Sequence, residues 1–188
     1  MTDQCHTGLL GDKMPTISVE QSLLKKLVEG KGRVHDVHDL AYRLPLMGTD
    51  IDNCNDKILD IEIFPDRPDL LSAETLFHGM MPFLHDAPAN PRLLIKSGIT
   101  RMTVSPDLRE IRPVILGAIV RGLEIDDDII KRLMEHQEKL HFALGRGRKR
   151  ASIGVHDLSK LSPPFRVEAV TRNHSFQPLA MDKNMTID

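Results

Sequence analysis

The stretch Lys57–Leu84, KILDIEIFPDRPDLLSAETLFHGMMPFL, decides the fold. In its first part Leu59, Ile61 and Ile63 alternate with Asp60 and Glu62, the period of two that gives a strand one apolar and one wet face. Pro65 and Pro68 then force an extended corner, because a residue before proline is pushed out of the helical region. Asp69 is placed to cap a helix that Leu70 begins, with Ser72 to Leu84 as its body. Arg67, flanked by Asp66 and Asp69, reads as an ion-paired brace of the corner rather than as a group presented to a partner. A strand that runs through a rigid corner into an amphipathic helix is the signature of an α+β unit.

Working towards the N-terminus, Thr16 to Val19 predicts a short strand, followed by a helix whose Leu23, Leu24, Leu27 and Val28 share a face before Gly30 ends it. A second helix carries Val37, Leu40, Ala41 and Leu44 at i, i+3, i+4 and i+7 and stops at Pro45. These elements make a small N-terminal α+β domain over residues 14–85, preceded by a flexible extension at 1–13. Residues 86–92, with two prolines and no apolar period, read as a linker.

Working towards the C-terminus, residues 93–188 read as the start of a mixed α/β domain. Ile99 to Val104 alternates weakly, and RPVILGAIVRG (112–122) is an unbroken apolar run, the pattern of a central strand covered on both faces. Asp126 to Leu144 is the clearest helix: Ile129, Ile130, Leu133, Met134, Gln137, Leu140, His141 and Leu144 form one stripe. Acidic residues stand at its start, and Gly145 is placed to cap its end. Strands over ASIGVHD (151–157) and FRVEAV (165–170) follow, joined by a loop at 158–164. DKNMTID (182–188) reads as a turn and the first residues of a helix capped by Thr186, so this second domain is expected to be incomplete.

Composition excludes several classes. With 40% hydrophobic and 28% charged residues the 188-residue chain is globular, neither collagenous nor wholly disordered. A formal net charge of -2 excludes coating of nucleic acid by bulk positive charge, and 4% aromatics leave little for a stacking platform. Cys5 and Cys54 make neither a CxxC pair nor a disulfide framework, which suits a reducing cytoplasm. The apolar run Pro113 to Val120 is far below the roughly 18 residues a membrane helix needs.

Two short motifs carry candidate chemistry. GRGRKR places Arg146, Arg148, Lys149 and Arg150 at a helix-to-strand turn, where they either bind phosphates of RNA or complement the negative end of the preceding helix. GVHD places His156 at a strand end beside Asp157, a position for a general base or a hydrogen bond, with Gln137, Glu138 and His141 as possible neighbours. HDVHD (35–39) is better read as Asp36 capping a helix than as a metal site. The chain has no GxGxxG, GxxxxGK[ST], GxSxG or HExxH motif.

MPTISV, LDIEIFPDRPDLLSAE, EIRPVILGAIVRG, QEKLHFALGRGRKRASIGVHDLSKLSPPF and FQPL together, in this order and spacing, resemble the beginning of the beta subunit of phenylalanyl-tRNA synthetases of the archaeal and eukaryotic type. The resemblance runs from about Met14 to the end. It implies an accessory N-terminal domain followed by the start of an editing domain, in a ligase that discriminates Phe from Tyr by a second, hydrolytic site. In such a heteromeric enzyme the alpha subunit joins phenylalanine, ATP with Mg and tRNA, and is met through beta-subunit domains beyond this sequence. The beta subunit contributes assembly, tRNA contacts and hydrolysis of misacylated Tyr-tRNA. Carried over to this chain, the resemblance places His156 at the edge of the editing pocket and strengthens an RNA-facing role for Arg146, Arg148, Lys149 and Arg150. It implies no cofactor or metal held by these residues themselves and no complete active site. A non-catalytic RNA-binding or assembly module, or a deacylase acting on Tyr-tRNA in trans, are the alternatives.

Overall fold

A computed structural model describes residues 14–87, 94–178 and 181–187. The expected extension at 1–13, with Cys5, and the linker from 88 onward lie outside the described residues. Overall the chain is α+β. It divides into two compact units: one takes the residues up to 93 together with 124–154, the other takes 94–123 and 155–188.

In the first unit the strand β1 (Thr16–Glu20) leads directly into the helix α1 (Gln21–Glu29), and α2 (Val37–Arg43) follows. Next come the strands β2 (Thr49–Cys54) and β3 (Ile58–Ile63), and the helix α3 (Ala73–His85). The three strands form an antiparallel sheet in the order β1-β3-β2, with Ile17 opposite Ile61 and Val19 opposite Leu59. These side chains are buried while Ser18 and the flanking polar residues stay wet, as period-two alternation requires. The apolar faces of α1, α2 and α3 complete the core through Leu24, Val28, Leu40, Leu76, Phe77 and Met80. Each fully buried aliphatic side chain here contributes roughly 1.5–3 kcal/mol by leaving water.

The hairpin strand β2 escapes a reading by apolar period, because TDIDNC has a single aliphatic residue. Its signal is the turn. The Asn55 side-chain oxygen accepts the N–H groups of Lys57 and Ile58, and Asn55 N–H donates to Ile58 C=O. That closes a tight reversal immediately before the alternating strand.

The corner after β3 is braced as expected, with one correction. Arg67 meets Asp69 with a two-pronged fork at 2.9 and 2.8 Å and also donates to Met47 C=O. Asp69 is thereby occupied and does not cap the helix. Pro68–Leu70 forms a short 3-10 turn instead, and Ser72 caps α3 in a reciprocal capping box with Thr75. Gly48 is required at this corner: its φ is +83°, and a Cβ would fall 2.9 Å from Arg67 Cγ. At the other end of α3, Arg43 donates to the C=O groups of Leu84 and Phe83, which lack helical partners.

The long helix α4 (Asp127–Ala143) belongs to this unit. Asp126 caps it by accepting from Ile129 N–H, with Asp127 and Asp128 in its first turn. Arg132 pairs with Glu74 of α3 at 2.8 Å, and Leu140 and Ala143 pack against the core. Of the predicted stripe only His141 is fully buried; Met134 and Leu144 remain about half exposed.

The second unit departs from expectation. Its strands β4 (Met102–Val104) and β5 (Phe165–Val167) form a parallel pair, with Met102 opposite Phe165. The run 112–122 is not a central strand. It passes beside β4 at Gly117 and makes no ladder, and Val114, Leu116 and Val120 are exposed, since β4 and β5 pair with each other and offer it no layer to enter. Residues 151–157, of which 151–154 belong to the first unit, are not a strand either, because Ile153 spends its backbone hydrogen bonds on a histidine ring of that same unit. At the end, Met185 bridges Phe176 in both directions, and no helix begins after it among the described residues. Leu108 is the one buried apolar side chain of this unit among the described residues.

Candidate nucleic-acid interface

The basic turn grows out of the end of α4. Gly145 N–H reaches back to Leu140 C=O at 2.9 Å, and Gly147 N–H to His141 C=O at 2.9 Å, so the last helical carbonyls find donors in the turn itself. Arg150 N–H donates to Gly145 C=O at 2.8 Å and closes the loop. Gly145 is needed here for space, because a Cβ would collide with the C=O groups of Ala151 and His141. The left-handed residues are the next three, Arg146 at φ +49°, Gly147 at +63° and Arg148 at +64°. Left-handed backbone disfavours a residue with a Cβ by roughly 1–2 kcal/mol, so two arginines in it must be held by other contacts.

Those contacts come from α4. Arg148 grips both carboxylate oxygens of Glu138, at 2.5 and 2.6 Å. Glu138 in turn lies 3.3 Å from Nδ1 of the buried His141. Ile153 N–H lies 2.8 Å and Ile153 C=O 3.1 Å from the same ring's Nε2, so both backbone groups of Ile153 face the imidazole. The guanidinium of Arg148 holds the Glu138 carboxyl below the usual carboxylate range, with the His141 hydrogen bond a smaller contribution. Arg146, Arg148, Lys149 and Arg150 are all exposed. The sequence thus located the four cations, but it held no sign that one of them is anchored to Glu138.

His156 lies in the other unit, and it is exposed. Asp157 is engaged with Ser159: its carboxylate accepts from Ser159 N–H at 2.9 Å and caps a 3-10 turn, and the Ser159 hydroxyl followed by that N–H lowers its pKa. The neighbours suggested for His156 on α4 have other duties, His141 with Ile153 and Glu138 with Arg148. At the HDVHD motif, Asp36 accepts from His38 and Asp39 N–H as a helix cap, and His35 Nε2 faces Gln21 at 2.9 Å. No group of three His, Cys, Asp or Glu side chains among the described residues is arranged to hold a metal. No helix among them is long and apolar enough to cross a membrane.

Comparison with known proteins points to tRNA ligase subunits. No protein-family profile matches the chain. The phenylalanine–tRNA ligase beta subunit of Archaeoglobus fulgidus is 38% identical over 174 residues, covering 93% of this chain and 31% of that protein. That of Methanosarcina acetivorans is 40% identical over 174 residues, with the same coverage, and that of Methanothrix thermoacetophila 42% over 176 residues, covering 93% of this chain and 32% of that protein. Over 93% of its length the chain is similar to phenylalanine–tRNA ligase beta subunits. It spans about a third of the length of these beta subunits. Among solved structures, an N-terminal fragment of the phenylalanyl-tRNA synthetase beta subunit from Pyrococcus horikoshii matches with a TM-score of 0.80 and 28% identity, over 92% of this chain and 50% of that one. The chain therefore corresponds to the N-terminal part of such a beta subunit.

Proposed function

We propose that the protein performs the front-end work of a phenylalanine–tRNA ligase beta subunit: it contacts tRNA and supports assembly and editing of misacylated Tyr-tRNA, without a complete active site of its own. Its partners are tRNA and the ligase's alpha subunit, which would be reached through further beta-subunit domains and would hold ATP and Mg. Its place is the cytoplasm. The observation that carries the reading is the turn 145–150, where four exposed cations follow one another at the end of a helix in a chain similar to tRNA ligase subunits along nearly its whole length. Such a group suits phosphate oxygens, with guanidinium forks giving direction as well as charge.

His156 is assigned, within this reading, to the edge of the editing pocket, as a hydrogen-bonding group rather than as a self-sufficient base. Among the described residues it has no carboxylate partner to orient it, so hydrolysis would need residues supplied elsewhere.

The test is a tRNA titration of the purified chain at several salt concentrations. Replacing Arg146, Arg148, Lys149 and Arg150 together by Ala should weaken binding and flatten the salt dependence by roughly 0.7–0.9 in slope for each phosphate that is no longer neutralised. An unchanged affinity and slope would exclude this turn as the contact. In the same preparation, Tyr-tRNA should survive; hydrolysis abolished by His156→Ala would favour a deacylase acting in trans.

A further inference from the structure

Glu138 is a puzzle for a tRNA contact, because it subtracts one charge at the base of the turn that is meant to attract phosphates. Its surroundings explain it. Two arginines around Gly147 occupy left-handed backbone, which an exposed loop does not keep unaided. Arg148 is tied to Glu138 by both carboxylate oxygens, and Glu138 is met from below by the buried ring of His141. The ring is itself fixed, since Ile153 N–H donates to its Nε2 while His141 C=O accepts Gly147 N–H. The polar side chains of the turn and of the helix end thus form one chain: His141, Glu138, Arg148.

We infer that Glu138, steadied by His141, is a positioning residue for the RNA-contacting turn: it uses Arg148 as a tether so that Arg146, Lys149 and Arg150 are presented to phosphates in one arrangement. Arg148 then serves geometry and not neutralisation. This rests on the reading of the turn as a tRNA contact, and it predicts an effect opposite in sign to simple electrostatics. Removing a negative charge next to a phosphate-binding turn strengthens binding if charge alone matters; if Glu138 positions the turn, the same change weakens it.

The experiment is a tRNA titration of the full chain at fixed and varied salt, with four variants checked for folding by circular dichroism and urea denaturation. Glu138→Ala should weaken binding about fivefold or more, the factor that one left-handed residue's strain implies, with the salt slope unchanged. Arg148→Gln should do the same, and should also leave the slope unchanged. The exchanged pair Glu138→Arg with Arg148→Glu should recover most of the affinity. Arg146→Ala with Arg150→Ala should weaken binding and lower the slope by roughly 1.4–1.8 for the two phosphates set free. Binding by Glu138→Ala equal to or tighter than the parent, while the Arg146/Arg150 variant binds more weakly, overturns the positioning role and leaves the tRNA contact standing. An Arg146/Arg150 variant that binds like the parent overturns the contact and the positioning role with it. Should Glu138→Ala fail to fold, Arg148→Gln decides: a lowered slope makes Arg148 a direct phosphate ligand and overturns the inference.

Discussion

At the scale of single residues, the corner between β3 and α3 shows how one side chain can take a duty that sequence position suggests for another. Asp69 stands where a helix cap is expected, but Arg67 holds it by a two-pronged fork, and Ser72 caps the helix. The Arg67 hydrogen bonds keep the Asp69 carboxyl below the usual carboxylate range. Because the folded value is the lower one, the stabilisation is full above the unfolded carboxylate pKa of about 4 and is lost as pH falls through the folded value. Urea midpoints should therefore fall more steeply below about pH 4 in the parent than in Asp69→Asn. At pH 7, Arg67→Ala should destabilise by about 1–3 kcal/mol, since Met47 C=O also loses its donor. Gly48→Ala at the same corner should destabilise by at least about 1–2 kcal/mol, read from the same denaturation curves, because its backbone is left-handed and Arg67 leaves no room for a Cβ.

At the scale of elements, what was legible in the sequence is what is locally determined. The strand at Leu59–Ile63, the helix at Asp126–Leu144 and the brace at Arg67 all follow from spacing and charge, and all are present. Ser72→Ala should lower stability by about 1 kcal/mol, the usual loss for a helix cap, with the change confined in hydrogen exchange to the first turn of α3. The strand β2 was not legible from its side chains, because an edge strand bearing Asp50, Asp52 and Asn53 takes its place from pairing with β3 rather than from burial. The two apolar segments 112–122 and 151–157 read as strands on hydrophobicity, but a strand also needs a partner backbone. In the first, the available strands pair with each other; in the second, His141 takes the Ile153 N–H. The candidate site followed the same rule: four cations were visible in the sequence, and the Glu138 tether, ten residues away from Arg148, was not.

At the scale of the whole molecule, apolar burial is unequally shared. The first unit holds a continuous core through its sheet and helices, whereas Leu108 alone is buried among the described apolar residues of the second. Native-state hydrogen exchange should accordingly find the slowest amides in β1, β3 and α3, slower by orders of magnitude than those of 112–122 and 165–170. Ile61→Ala, in the middle of the sheet, should lose about 2–5 kcal/mol and melt the first unit as one. The central claim, that this front part of a tRNA ligase beta subunit meets tRNA through the turn at the end of α4, is tested most directly by amide exchange of the chain with and without saturating tRNA. Slowed exchange across residues 145–150, with the β2–β3 hairpin unchanged, is the result predicted here; protection elsewhere with 145–150 exchanging as in the free protein would contradict it.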